Sequence, residues 1–570
     1  MKRLWLFSLV VLPFISAAQD FPKPDYPQGV FRDPLDFPIF LAGGYGEIRP
    51  GHFHEGLDIK TKGRIGYPVH AAAEGYVSRV SVSSGGYGNA VYVTHPDGYT
   101  TVYGHLNRFA PRIASYVKKK QYELERWSVD LAFAPSLFPV RKGEMIAWSG
   151  STGAAAGPHV HFEIRDTKTE VPLNGMLFGL QIADKVPPQV YRVALYDMNR
   201  SIYAQKPDMV DLHAAGGVYA PAAAVLSVST DKVGFGVQAV DRMTGTHNAY
   251  GIYREVLYVD DKPQIGFQLD GIGYDMTRYV DAHTDYKTWR ETGRHFELLF
   301  SLPGNELKIY HDFAGNGTVD LRDGKTHRVT IRVIDASGNV STIRFGVRRS
   351  PEATAPAPAP CQNTLYAASR DIFENNSVQF YLEPGTLYDS VCFDYRESPA
   401  PGPAYYSPVF TLGSSDIPLN KPYTLRLRPS RPVPDSLRDR VVITRQNTRG
   451  TGTTVMAARW DGNWVSASFG DFGKFSVQVD DVPPVITPVN IRAGADMSRA
   501  SEISFRIGDQ KSGVASYRGE LDGKWLMFAR KGSTIYYNFD AHCPPGSHVL
   551  TIEVRDAVGN VAERTYHFKR

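Results

Sequence analysis

Five residues in three stretches have types and spacings that could do chemistry. Gly157–Ile164 reads GPHVHFEI. In a strand, successive side chains alternate faces, so His159 and His161 share one face about 6–7 Å apart, with Val160 and Phe162 turned the other way, toward the core. The stretch GHFHEGLDIK places His54 and Asp58 in an H-x-x-x-D spacing, and a histidine and a carboxylate four apart can converge on one ion. Two imidazole nitrogens and one carboxylate make an open, catalytic kind of zinc set, with a fourth position left for water. Calcium and magnesium prefer all-oxygen shells, so the mixed set favours zinc. A structural zinc would recruit four protein ligands, often cysteines, but Cys361, Cys392 and Cys543 all lie far from these stretches. His105 ends a strand pattern in TVYGHLNRF.

Taken in order, GHFHEGLDI, GGYGNAVYVTHPDG, TVYGHL and RKGEMIAWSGSTGAAAGPHVHFEI resemble the M23 (lysostaphin-type) zinc metallopeptidases over about residues 43–166. The resemblance implies one Zn2+ per chain held by His54, Asp58 and His161. It also implies His105 and His159 as the two catalytic histidines that do not bind metal. Zinc lowers the pKa of water toward about 7 and polarises a carbonyl, and a neutral imidazole can take a proton and return it to the leaving amine. Which of His105 and His159 is the base is left open. His52 matches no family ligand and is expected beside the site, exposed; His70 and His95 are read as structural. Glu163 reads either as a carboxylate supporting a ligand or as a solvated strand residue. Glu55 follows His54, but H-E-x-x-H is absent, which removes that motif.

These residues need a β framework. Tyr76–Val82, Ala90–Thr94 and Thr100–Tyr103 alternate apolar and polar residues between glycine-rich turns. The chain is expected to be mainly β: an N-terminal antiparallel peptidase domain (19–186) followed by several β-sandwich, immunoglobulin-like domains. An insertion at about 112–137, rich in Lys, Tyr and Trp, interrupts the peptidase region and is expected at the groove rim. No segment is identified that occupies the metal position, although residues 19–40 could do so. HRVTIRVIDASGNV (His327–Val340) repeats as HVLTIEVRDAVGNV (His548–Val561), and FGVQAVDRMTG (Phe235–Gly245) as FRIGDQKSG (Phe505–Gly513). This predicts two copies of one immunoglobulin-like module at 187–350 and 482–570. Between them come a Pro/Ala linker (351–360) and a further β-rich domain (361–481). Cys361 and Cys392 fall in that domain and could pair.

At 570 residues, with 42% hydrophobic and 21% charged content, the chain has the composition of several globular domains. A net charge of +4 and the lack of a basic cluster give no nucleic-acid footprint. Met1–Arg3 followed by apolar Leu4–Ile15 and Ser16–Ala18 reads as a signal peptide (1–18) cleaved before Gln19, with no transmembrane span thereafter. The expected protein is an exported (periplasmic or extracellular) zinc endopeptidase of the bacterial envelope, acting on peptidoglycan cross-link or stem peptides. Alternatives are a non-catalytic scaffold regulating a cell-wall hydrolase, or a peptidase of secreted proteins. The sandwich modules could engage an envelope protein partner.

Overall fold

The computed structural model describes residues 21, 22, 24–350 and 360–570; the leader 1–18 and all of the Pro/Ala linker except Pro360 lie outside them. The fold is mainly β. Alternation in the N-terminal region builds a nine-stranded sheet whose central strands run in the order Leu41–Gly43, Leu57–Lys60, His159–Asp166, Tyr99–Gly104, Asn89–Thr94, Gly75–Val82 and Val129–Ala132. The strands that matter for chemistry are antiparallel neighbours, with His161 directly opposite both Asp58 and Gly104. Opposite residues in such a pair have Cβ atoms about 5 Å apart, so register alone brings Asp58 to His161. Leu57, Ile59, Val160, Phe162 and Ile164 turn to the other face and are fully buried. Burying each such side chain stabilises the sheet by about 1.5–3 kcal/mol.

That core does not stop at residue 186. One buried cluster joins Ile59, Val160 and Phe162 to Phe235, Phe267 and Phe345 of the next module, so residues 31–347 share a continuous apolar interior. The first module has two sheets, one of five strands around Gln189–Asp197 and Lys232–Val240, and one of eight around Arg254–Val259, His327–Ile334 and Val340–Arg349. Residues 361–481 form two five-stranded sheets over their own cluster. A Cys361–Cys392 disulfide ties that region's first strands, and Cys543 is a buried free thiol. Residues 482–570 form a four- and a five-stranded sheet over a third cluster.

The sequence repeat is also a repeat of hydrogen bonds. Asn339 and Asn560 each give backbone and side-chain N–H to the aspartate four residues earlier. His327 and His548, at the starts of the matching strands, each bond the aspartate of a preceding turn, Asp260 and Asp522. Both aspartates sit at positive φ, which Asp tolerates better than most residues.

Two expectations are corrected. The insertion does not border the groove described below. Its helix Pro111–Glu123, started by proline and buried along Ile113, Val117 and Gln121, faces the last module instead. Lys118 pairs with Asp540 at 2.5 Å, Tyr122 stacks on His542 at 3.7 Å, and Glu125 meets Arg518 at 2.8 Å. Residues 24–40 do not enter the groove either: Phe31, Leu35 and Ile39 are core residues. No helix among the described residues is long and apolar enough to cross a membrane.

Candidate active site

Alternation along His159–Asp166 puts His159, His161, Glu163 and Arg165 on one face, and the neighbouring strand adds Asp58. His54 arrives from the turn before Leu57–Lys60, and His105 from the residue just after Tyr99–Gly104. Gly56 is required here, because a Cβ at this position would lie 2.5 Å from the His161 ring. His105 sits at φ 59°, a conformation that costs a residue with a Cβ about 1 kcal/mol or more. Its N–H is held by the Tyr87 carbonyl at 2.8 Å.

Hydrogen bonds decide which ring nitrogen carries each proton. His54 Nδ1–H donates to Gly44 O (2.7 Å), His159 Nδ1–H to Gly157 O (2.8 Å) and His105 Nδ1–H to Thr152 O (2.9 Å). His161 is turned the other way, with Nε2–H donating to Glu163 Oε1 at 2.8 Å. His54 Nε2, His159 Nε2 and His161 Nδ1 are therefore bare, and they lie 3.1, 3.3 and 3.0 Å from Asp58 Oδ1. His54 Nε2 and His161 Nδ1 are 3.2 Å apart. Lone pairs and a carboxylate converging on one buried point repel unless a cation lies between them. Ligand atoms about 2.0–2.1 Å from a tetrahedral zinc stand roughly 3.3 Å from one another, so the spacing and the N, N, O donor set both fit. Among the described residues two other groups could hold a cation, Asp184–Asp241–Asp335 and Asp480–Asp509–Asp556, but they are all-carboxylate and each joins a repeated module to the residues just before it.

Burial would raise the Asp58 carboxyl, yet its close polar contacts with His159, His161 and His54 hold it well below the usual carboxylate range. Burial likewise opposes charge on His161, but Asp58 and Glu163 push it up to about 9. His105 moves the other way, down to about 4, through burial and then the proximity of His161 and His159. It is neutral at pH 7.

The structure brings all five predicted residues together in one groove of about 690 Å3. His52 is exposed on its rim. His70 and His95 lie away from it, tied to Asp36 and to Glu74 O. Glu163 is buried rather than solvated: Oε1 receives His161 Nε2–H, Oε2 receives Arg165 Nε–H at 2.7 Å, and the Tyr87 and Tyr274 hydroxyls reach Oε1 as well. Burial opposes the carboxylate, but His161 and Arg165 hold it down at about 2. Glu55 also lines the groove; burial raises it to about 7, moderated by a hydrogen bond from Thr277. Sequence reasoning missed Tyr87, Glu55, Tyr274 and Thr277 as site residues. Tyr87 stood inside the quoted GGYGN stretch, whereas Tyr274 and Thr277 carried no local signal.

Comparison with known proteins finds relatives of two parts of the chain. Residues 52–122 match peptidase family M23, a span holding His54, Asp58 and His105 but ending before His159. Residues 362–480 match the Zu5-like domain. The chain is similar to an uncharacterized metalloprotease of Haemophilus influenzae, 38% identical over 118 residues, covering 21% of this chain and 19% of that one. It is similar to the DD-carboxypeptidase/endopeptidase Mpg of Neisseria meningitidis serogroup B, 35% identical over 112 residues and 20% of each chain. The peptidoglycan DD-endopeptidase ShyC of Vibrio cholerae is 30% identical over 140 residues, 23% of this chain and 26% of that one. The chain thus spans about a fifth to a quarter of these relatives' lengths, and the N-terminal region is of the M23 type.

Proposed function

We propose that the protein is an exported zinc endopeptidase that hydrolyses peptide bonds in peptidoglycan. The observation that carries the reading is the convergence of His54 Nε2, Asp58 Oδ1 and His161 Nδ1, each 3.0–3.2 Å from the other two, beside two more imidazoles in an open groove. The peptidoglycan substrate rests on the names of the similar Neisseria and Vibrio enzymes. Export rests on the leader-like N-terminus.

His54, Asp58 and His161 would hold the ion, and Glu163 keeps His161 in the tautomer that offers Nδ1. Zinc bound there would supply a Lewis acid and acidify water toward a pKa of about 7. His159 and His105, rings 4.7 Å apart, both keep Nδ1–H on a backbone carbonyl and Nε2 bare. Either can take a proton at Nε2 and, once charged, return it to the leaving amine or donate to the developing oxyanion. Their carbonyl anchors fix the rings before substrate arrives, so no reorientation is needed during the reaction.

The test is to assay the purified protein for zinc and for peptides released from purified peptidoglycan, alongside His161→Ala and His159→Ala. Both variants should be inactive, the first without zinc and the second with it. Wild-type protein that binds zinc but releases no peptide would favour a scaffold that regulates another hydrolase. Cleavage confined to ordinary proteins would favour a peptidase of secreted proteins.

A further inference from the structure

Apart from Tyr274, the groove is lined by residues from 42–161. Tyr274 belongs to the adjoining module, on the segment between the strand Lys262–Gln268 and the helical turn Thr277–Tyr279. The residue is 42% exposed although its hydroxyl is firmly held. The hydroxyl reaches Glu163 Oε1 at 2.8 Å and touches the Tyr87 hydroxyl, while the Arg165 guanidinium lies 5.0 Å from the ring centre.

The segment is pinned to the peptidase region on both sides of Tyr274. Before it, Gly271 bridges to Leu173, the Ile272 N–H donates to Pro172 O at 3.2 Å, and Asn174 Nδ2 donates to Leu269 O at 3.1 Å. After it, the Phe53 N–H donates to Thr277 Oγ1 at 2.9 Å, and the Thr277 hydroxyl donates to Glu55. The ring is thus presented to the groove with its position already fixed, and a tyrosine has few rotamers left to lose on contact.

We infer that Tyr274 is a specificity-determining residue: a wall lent by the neighbouring module, against which the substrate's backbone and the side chain beside the scissile bond are read. The inference rests on the peptidase reading above. The groove is also lined by Ala154, Ala155, Ala156 and Gly157, which add little bulk, and by Tyr87 beside Tyr274. Two tyrosine rings and a run of tiny side chains suit an extended peptide with small residues flanking the bond that breaks. A longer or branched side chain there would meet the Tyr274 ring.

The experiment compares the wild type with Tyr274→Ala, Tyr274→Phe and Tyr274→Trp in the full chain. The probe is a mixture of peptidoglycan stem and cross-link peptides with a library of unmodified peptides that vary the residues flanking the cut. The readouts are zinc content and the ratio of kcat/KM for small against bulky flanking residues. Tyr274→Ala should keep its zinc, raise KM for the preferred peptide and lower that ratio about tenfold; Tyr274→Phe should hold the ratio within about twofold; Tyr274→Trp should raise it. A ratio that stays at the wild-type value in both the Ala and Trp variants overturns the inference, and the Trp arm keeps it falsifiable if Ala folds poorly. If the wild type cuts only unmodified peptides, the peptidoglycan reading fails while the ratios still decide on Tyr274. A wild type that cuts nothing removes both.

Discussion

The two copies of the repeated module share a frame and differ most in one stretch. His327 and Asp260 in the first copy correspond to His548 and Asp522 in the second, yet 67 residues separate the first pair and 26 the second. The additional stretch carries Tyr274, Thr277 and the short helices Val280–His283 and Tyr286–Thr292. Through it the first copy touches the chemistry, and its core merges with that of the peptidase region. The second copy keeps a separate core and meets the insertion through surface contacts such as Lys118–Asp540 and Tyr122–His542. A shared sandwich frame is silent about function, and a loop added to it can become part of an active site.

The sharpest way to break this comparison is a matched pair of core truncations. Phe235→Ala and Phe505→Ala each remove a fully buried ring from corresponding strands, and each should cost its core about 3–5 kcal/mol. Only Phe235→Ala should lower peptidase activity and zinc retention; calorimetry of Phe505→Ala should show one transition moved down, with activity intact. Equal loss of activity in both would mean the second core is not separate. Next in size, Gly56→Ala should cut activity about 100-fold by displacing His161, with little change in melting temperature. By contrast, Gly523→Ala, in the second copy's turn after Asp522, should leave activity unchanged and lower only that module's stability, because its φ of 76° suits glycine.

Smaller still is Thr277→Val, which removes the hydroxyl held between Phe53 N and Glu55. The lost hydrogen bonds should cost about 1 kcal/mol, visible as a lower denaturation midpoint. Because the Thr277 hydrogen bond lowers the Glu55 pKa, the variant's Glu55 should titrate above about 7 when followed by carboxyl infrared bands. The smallest effect is common to both copies. The hydrogen bond His327 donates to Asp260 raises His327, and in His548 burial is outweighed by Asp522 and the Pro544 carbonyl together, which raise it too. A histidine raised in the folded state holds more protons there than when unfolded, so its stabilisation is complete below the unfolded value near 6.5 and is lost as pH rises through the folded value. Both modules should therefore melt slightly lower at pH 8 than at pH 6. His327→Gln and His548→Gln should each flatten that slope in one module alone.

Much of the site was legible because it depends on short-range rules. Period-two alternation placed His159 and His161 on one face and sent Val160 and Phe162 to the core, and a repeated DA-x-GN turn exposed the duplicated module. What could not be read depends on tertiary docking. Glu163 could be assigned to a face but not to burial, since its partners Tyr87 and Tyr274 come from separate segments. The insertion looked like a groove rim because it lies beside the site in sequence, but its helix turns to the last module. The real rim residue, Tyr274, lies more than a hundred residues after the last histidine of the site, and no local pattern marked it.

The central claim is that His54, Asp58 and His161 form a single zinc site that the other two histidines serve without binding metal. The most direct measurement is zinc stoichiometry by elemental analysis of the wild type, His161→Ala and His159→Ala, paired with X-ray absorption at the zinc edge. The account predicts one zinc per chain with a nitrogen and oxygen shell in the wild type and in His159→Ala, and none in His161→Ala. Zinc retained by His161→Ala, or sulfur in the shell, would contradict it.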